Sequence, residues 1–176
     1  GYSDEWKEEA ARRGLSNMPN TPDALDSYVS DSSKSLFEHS GVYSEKELEA
    51  HYEVMLENYI LKVQIEARVL GELCLNHVVP SAVKYQNVLA KNVKTLKEIG
   101  LPEEDFAAQL DDVKRVSYFI REIKKDVKAM VDERKVANKI DHAPEKAKAY
   151  CNKVKPYMDT IRYNADKLEL IIDDRD

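Results

Sequence analysis

Apolar residues recur every three or four positions along three long stretches of the chain, which is the spacing of a buried helix face. These stretches cover about 44–99, 103–139 and 145–173. Their apolar stripes are Leu56, Ile60, Val63, Ala67, Leu70, Cys74, His77, Val78, Ala82, Tyr85, Leu89, Val93 and Leu96; Phe106, Leu110, Val113, Val116, Ile120, Ile123, Val127 and Met130; and Ala147, Cys151, Val154, Met158, Ile161, Ala165, Leu168 and Ile172. Turns of about four residues separate them, and such short turns make consecutive helices antiparallel neighbours. The pattern predicts an all-α fold, an elongated antiparallel three-helix bundle.

The first 43 residues have a different pattern, with few large apolar side chains and several helix start and stop signals. Ser3 is placed to cap a helix from about 4 to 13, Thr21 can cap a second helix, and a third helix ends at Gly41. This segment is too poor in apolar residues to form a core alone. We therefore predict two parts, short helices and loops in residues 1–43 and the long-helix bundle in residues 44–176.

The first long helix begins at "SEKE", where Ser44 and Glu47 can satisfy each other's backbone N–H groups as a capping box. At equal rise per residue, its first part, residues 45–60, extends beyond the other two long helices. That part has its own apolar face, formed by Leu48, Tyr52, Met55, Leu56 and Tyr59. We expect the N-terminal short helices to cover this face, or else a neighbouring subunit or another domain.

Two prolines interrupt the long helices. Pro80 has no N–H for the carbonyl of Asn76, and Pro156 has none for the carbonyl of Asn152. Each proline should bend its helix, either to let the helices wrap around one another or, as the less favoured alternative, to act as a hinge.

Composition and charge narrow the class of protein. The 176 residues are 43% hydrophobic and 34% charged, with only 5 Gly and 6 Pro, which favours one soluble helical domain. The net charge of −6, with basic and acidic residues interleaved, argues against nucleic-acid binding. No apolar run is long enough for a membrane span, and the N-terminus has no targeting signal. Two lone cysteines, Cys74 and Cys151, are typical of a reduced compartment and favour the cytoplasm.

The polar residues near Pro80 form the most conspicuous candidate site. His77 lies on the apolar stripe, where a lone histidine is most often a hydrogen-bonded core group. Asn76, Gln86 and Asn87 can bond the freed carbonyl, a neighbouring helix or water. No acid or thiol within sequence reach completes a metal site or a nucleophilic site with them.

Other pairs also have ordinary structural explanations. Glu47 and His51 are one turn apart, as metal ligands can be, but two such residues at a charged helix end are usually a solvated pair. Glu66 is two positions from Arg68 and points to another side of the helix. The adjacent Arg12 and Arg13 complement a helix C-terminus as readily as they would bind phosphate. We therefore predict no catalytic, cofactor-binding or metal-binding residue in this chain.

Several long phrases of the chain resemble one enzyme family. They are "YSDEWKEEAARRGL", "TPDAL", "LFEHSGVYSEKELEAHYEVMLENYILKVQIEARVLGELCLNHVVPSAVKYQNVLAKNVKTLKEIG" and "IRYNADKLELIIDD". In this order they are similar to the C-terminal region of type III glutamine synthetases, the large-subunit bacterial form of the enzyme. Residues 101–150 resemble the family mainly in pattern.

The resemblance implies a parent enzyme that joins ammonia to glutamate through a γ-glutamyl phosphate, with ATP and with magnesium or manganese. In the family the groups that do this lie upstream of the matched phrases, so the resemblance carries no site residue onto this chain. It implies that the chain is a piece of a longer protein, lacking the catalytic region before Gly1 and the tail that follows "IIDDRD". The implied partners are that catalytic region and neighbouring subunits of the parent oligomer.

Two other kinds of function stay open at this point. A stand-alone helical module could bind partner helices through an exposed apolar stripe. A four-helix metal or redox protein is the weaker alternative, because the Glu-x-x-His pairs of such bundles are absent.

Overall fold

The computed structural model describes residues 3–172, which are helical and contain no strand. Residues 1–2 and 173–176 lie outside the described residues. They include the two chain ends on which the expectation of a missing catalytic region and a missing tail is based. The α-helices are α1 (Asp4–Arg12), α2 (Thr21–Asp26), α3 (Asp31–Ser40), α4 (Glu45–Leu73), α5 (Val79–Glu98), α6 (Ala107–Ala137), α7 (Ala143–Ala149) and α8 (Lys155–Glu169). The predicted all-α class is confirmed.

The helix ends follow the capping chemistry of the sequence. The Ser3 hydroxyl accepts a hydrogen bond from the Trp6 N–H at the start of α1. The capping box of α4 is formed, since the Ser44 N–H donates to the Glu47 carboxylate at 2.8 Å. One prediction was wrong: the cap of α2 is Asn20, whose side-chain oxygen accepts from the Asp23 N–H, and not Thr21. An asparagine carbonyl oxygen caps as well as a hydroxyl does, and it starts the helix one residue earlier.

Each helix-interior proline follows a wider, π-helical turn. Cys74–Val78 form such a turn before Pro80, and Tyr150–Val154 form one before Pro156. In the first turn the Val79 N–H donates to the Cys74 carbonyl, five residues back. A π turn accommodates one extra residue, so the carbonyl that loses its donor to proline does not have to sit against the pyrrolidine ring. The predicted disturbance at each proline therefore takes the form of a local π turn.

The chain divides into two compact units. The first unit comprises residues 1–62 and 140–151, and the second comprises residues 63–139 and 152–176. Helix α4 contributes its first part to one unit and its last part to the other.

In the first unit, the N-terminal segment contacts the start of α4. Leu48 and Leu56 are fully buried, and the Tyr52 hydroxyl donates a 2.6 Å hydrogen bond to Asp26 at the end of α2. Tilted ring contacts also join Phe37 to Tyr43 and Tyr43 to His51, from α3 to α4. The N-terminal short helices therefore contact this part of α4, which is one of the alternatives that the sequence left open.

In the second unit, long helices share an apolar core. Its fully buried side chains include Val116 and Ile123 of α6 and Ile161 and Leu168 of α8, all of them predicted stripe positions. Helix α6 packs against both α5 and α8. The buried positions of this unit therefore repeat every three or four residues, as the sequence pattern predicts.

Pairs of residues that meet across the second unit fix the direction of α6. The Gln64 amide lies 3.5 Å from Asn138, whereas Gln86 donates to the Val113 carbonyl at 3.0 Å. Between these two contacts, Gly71 lies against Val127 and Met130. Residue numbers along α6 decrease as those along the α4–α5 segment increase, so α6 runs antiparallel to that segment.

Candidate functional site

The polar residues around Pro80 do not form one site. Gln86 donates to the Val113 carbonyl and contacts the Ser117 hydroxyl, so it fastens α5 to α6. Asn76 and Asn87 are exposed. The structure thus distributes the cluster between a helix-to-helix contact and the surface.

The expectation that His77 is a core group was wrong, because His77 is exposed. The π turn is the physical reason. Cys74 and Val79, five residues apart, are both buried, and the extra residue between them turns His77 out of the stripe. A second shift of this kind occurs at the other π turn, where Tyr150 is fully buried and the predicted Cys151 is only half-buried.

The other sequence candidates have structural partners. Glu47 is occupied by the capping box, which lowers the pKa of its carboxyl through the hydrogen bonds from Ser44. Both Arg12 and Arg13 bond Glu9, one turn earlier on α1. Burial raises the pKa of the Cys74 thiol, which keeps it in its unreactive protonated form.

One polar cluster in the first unit was not found from the sequence. Asp26 accepts hydrogen bonds from Tyr52 and from the Lys148 ammonium of α7, each at 2.6 Å. Partial burial works to raise the pKa of Asp26, but the bonds from Lys148 and Tyr52 outweigh it and hold that pKa below its ordinary value. Burial, followed by the contact with Asp26, raises the pKa of Tyr52. No short sequence motif connects these three residues, since Asp26 and Lys148 are 122 positions apart.

The second unit contains an open groove between the α4–α5 segment and α8, here called the α4–α8 groove. It has two adjoining parts of about 540 and 480 Å³ that share Leu70, Leu73 and Arg162. Its lining residues are Ile65, Glu66, Val69, Leu70, Leu73, Cys74, His77, Val78 and Ser81 on one side, and Met158, Asp159, Arg162, Ala165, Asp166, Leu168, Glu169 and Ile172 on the other.

Most lining residues of the groove are apolar. The half-exposed Ile65, Val69 and Leu73 are here called its floor, and the charged lining residues its rim. Ile65, Val69 and Leu73, at successive four-residue steps of α4, keep 51%, 48% and 48% of their surface exposed. On the rim, the Arg162 guanidinium donates to Asp166 at 2.7 Å. The sequence signal for this surface is the four-residue spacing of Ile65, Val69 and Leu73 in "IEARVLGEL", which indicates a second apolar stripe beside the core stripe.

Two kinds of site are not found in the part of the chain that the structure describes. Between residues 3 and 172, no group of three or more His, Cys, Asp or Glu side chains could hold a metal ion. Over the same range, no helix combines the length and the apolar character that a membrane crossing requires.

Comparison with known proteins connects this helical chain to one family. The family model described as the glutamine synthetase C-terminal domain matches residues 1–97. A glutamine synthetase of Bacteroides fragilis is 46% identical over 99% of this chain, one of Butyrivibrio fibrisolvens is 32% identical over 99%, and a type-3 glutamine synthetase of Dictyostelium discoideum is 31% identical over 99%. The chain spans about a quarter of the length of these relatives, 24%, 25% and 24% respectively. The resemblance to type III enzymes is confirmed, and the chain belongs to the glutamine synthetase C-terminal domain family.

Proposed function

We propose that this chain is a non-catalytic helical region of a glutamine synthetase, whose reacting groups belong to other parts of a longer cytoplasmic polypeptide. The observation that carries the proposal is the match of almost the whole chain to about one quarter of enzymes with that name. In the parent enzyme, ammonia would be joined to glutamate at the expense of ATP. This chain would supply structure to that enzyme and would contact its catalytic region and neighbouring subunits.

Magnesium or manganese, which the family implies, would be held in another part of the parent polypeptide. Such cations are bound through carboxylate oxygens, and residues 3–172 contain no group of three or more His, Cys, Asp or Glu side chains that could hold one. That this chain carries no catalytic or ATP-contacting residue remains a prediction.

We further propose that the second unit is an antiparallel three-helix bundle, with the α4–α5 segment, α6 and α8 as its members. The contacts of Gln64 and Gln86 with α6 support the first pairing, and the lining of the α4–α8 groove supports placing α8 beside α4. In this arrangement residues 1–43 would link the bundle to the catalytic region.

Spin-label distances test the position of α8. In a chain whose native cysteines are replaced by alanine, labels at Glu66→Cys and Asp159→Cys should lie close together. Labels at Glu66→Cys and Glu169→Cys are the matched control, and they should be clearly farther apart, because the ten helical residues between the two α8 positions place Glu169 about 15 Å farther along the helix axis. Equal distances in the two pairs would contradict the bundle.

Activity and assembly of the longer polypeptide test the functional role. The 176-residue chain alone should form no glutamine from glutamate, ammonia and MgATP. In the longer polypeptide, removing residues 44–176 as a block should reduce both assembly, measured by sedimentation, and glutamine formation. The block deletion is preferable to removing residues 103–173, which would leave half of an apolar core exposed. Unchanged assembly and activity after the block deletion would contradict a supporting role.

The exposed floor of the α4–α8 groove favours a second candidate, a stand-alone module that binds partner helices. The natural reading frame separates the two. A frame that continues upstream of Gly1 for several hundred codons supports the enzyme region, and a start codon close to Gly1 supports the module.

A further inference from the structure

The α4–α8 groove leaves apolar side chains uncovered in a regular row. Ile65, Val69 and Leu73 are each about half exposed and follow one another at single-turn steps along α4. Isolated exposed apolar residues are ordinary, but a continuous apolar strip inside a groove marks an interaction surface. Covering these side chains would remove apolar surface from water, which is the main favourable term in protein association.

The rim of the groove is acidic. Carboxylates line both parts, with Glu66 and Asp159 in the smaller part and Asp166 and Glu169 in the larger. The only guanidinium or ammonium group among the lining residues is Arg162, and Asp166 already engages it. The rim therefore favours a ligand with positive charge on both sides of an apolar face.

This charge argues against a second copy of the same groove as the occupant. A symmetric contact would place the carboxylates of one groove opposite those of the other, and like charges across an interface oppose association. The net charge of the whole chain, −6, acts in the same direction.

The length of the groove suits a short helix. Its α8 wall runs from Met158 to Glu169, about 16 Å at the usual helical rise, and its α4–α5 wall runs from Ile65 to Ser81, about 24 Å, so the groove is about three to four turns long. Two parallel apolar walls around a strip of this length are the arrangement in which an amphipathic helix docks through residues at three and four spacing.

We propose that the α4–α8 groove holds an amphipathic helix with basic residues on its flanks, and that this helix belongs to the rest of the parent polypeptide. The source of the helix rests on the proposed function, because the relatives are about four times as long as this chain. The chemistry of the groove stands independently of it.

A designed peptide tests the chemistry. The probe is a helical peptide of about 14 residues, four turns, with leucines at three and four spacing and lysines on both flanks; a second peptide has glutamates in place of the lysines. The lysine peptide should bind the 176-residue chain, measured by fluorescence anisotropy, and should bind more tightly at low salt. The glutamate peptide should bind at least about tenfold more weakly, since it places like charges at the rim. Equal binding of the two peptides, or no binding of either, would overturn the proposal.

A matched pair of variants places the binding in the groove. Val69→Asn puts an uncharged polar group on the floor and should weaken binding of the lysine peptide at least about tenfold. Val88→Asn makes the same change at another exposed valine, outside the groove, and should leave the affinity unchanged. Circular dichroism of both variants establishes that they are folded. Equal effects of the two changes would overturn the assignment to the groove.

Photo-crosslinking tests the source of the helix. A photoreactive amino acid at Val69 of the longer polypeptide should crosslink to a basic segment outside residues 1–176, identified by mass spectrometry. Crosslinks to another copy of residues 1–176, to an unrelated protein, or to nothing would overturn the proposed source. These outcomes are distinct from failure of the proposed function, which the block deletion of residues 44–176 reports through activity and assembly.

Discussion

The two compact units differ in what holds their helices together. In the first unit, side-chain bonds join the short helices to α4 and to each other, such as those of Asp26 with Tyr52 of α4 and with Lys148 of α7, and that of Lys34 with Glu45. In the second unit, long helices share a row of buried apolar residues, and polar cross-links such as that of Gln86 are few. Because each short helix buries little apolar surface, directional polar bonds contribute more to positioning these helices.

This difference predicts different responses to substitution and to pH. Apolar burial contributes in proportion to area and hardly depends on pH, whereas exposed ionic contacts are individually small and are screened by salt. The second unit should therefore lose most stability through cavities, and the first through loss of polar partners.

The largest expected effect is a cavity in the second unit. Ile123, at the centre of α6, is fully buried. Ile123→Ala should lower the free energy of unfolding by about 3 kcal/mol, from lost burial and incomplete collapse around the cavity. Urea denaturation followed by circular dichroism measures this. Val136→Ala, at an exposed position of the same helix, is the control and should change stability by less than about 0.5 kcal/mol. Equal losses would show that the buried row does not dominate the second unit.

The Asp26 cluster should produce the largest polar effect in the first unit. Asp26→Asn removes the charge that Lys148 bonds and should cost about 1 kcal/mol at neutral pH, a figure kept small because the Asp26 side chain is 40% exposed. Glu53→Gln, on the exposed side of α4, is the matched control and should have little effect.

The pH dependence of this loss follows from the direction of the pKa shifts. The pKa of Asp26 is lowered in the folded chain, so its contribution is present above the ordinary value of 3.8 and is lost as the pH falls through the folded value. The pKa of Tyr52 is raised, so its contribution is present below the ordinary value of 10.0 and is lost at higher pH. Wild type and Asp26→Asn should thus converge in strongly acidic solution. A constant difference from neutral to strongly acidic pH would contradict the ionic origin of the effect.

A similar or smaller loss is expected at the start of α4. Ser44→Ala removes the hydroxyl that caps the Glu47 N–H and should cost about 0.5–1 kcal/mol. Ser35→Ala, at an exposed serine of α3, is the control. Thermal unfolding measures the stability of the two variants. Equal stability would mean that the Ser44 hydroxyl contributes nothing beyond what burial of Leu48 already gives to the start of α4.

The smallest expected effect is a gain in stability. Gly71 lies in the interior of α4, and a Cβ added there would lie 3.4 Å from Val127 and 3.6 Å from Met130, which are ordinary contact distances. Gly71→Ala should stabilise the second unit by about 0.5 kcal/mol through better helix propensity. Gly71→Leu should instead destabilise it by about 1–3 kcal/mol, because the added atoms meet α6. Equal stability of the two variants in urea would show that α4 and α6 do not approach closely here.

Much of the fold was predictable because its determinants are local or periodic. Capping by Ser3 and the Ser44–Glu47 box depends on residues three positions apart, and the apolar rows of α6 and α8 follow the helical repeat. The position of each disturbance followed from Pro80 and Pro156. The one-residue π insertion did not, since it depends on how the helix on either side is packed, and the prediction for His77 failed for that reason.

The sequence by itself determined the helical class, the stretches of the chain that form long helical segments, and the family, because periodicity, capping groups and long matching phrases are properties of the linear chain. Only the tertiary structure decided that Asp26 meets Tyr52 of α4 and a lysine 122 positions away. It also decided that Ile65, Val69 and Leu73 line a groove. Each of these depends on which surfaces meet across long separations, and the spacing of residues along one helix does not specify that.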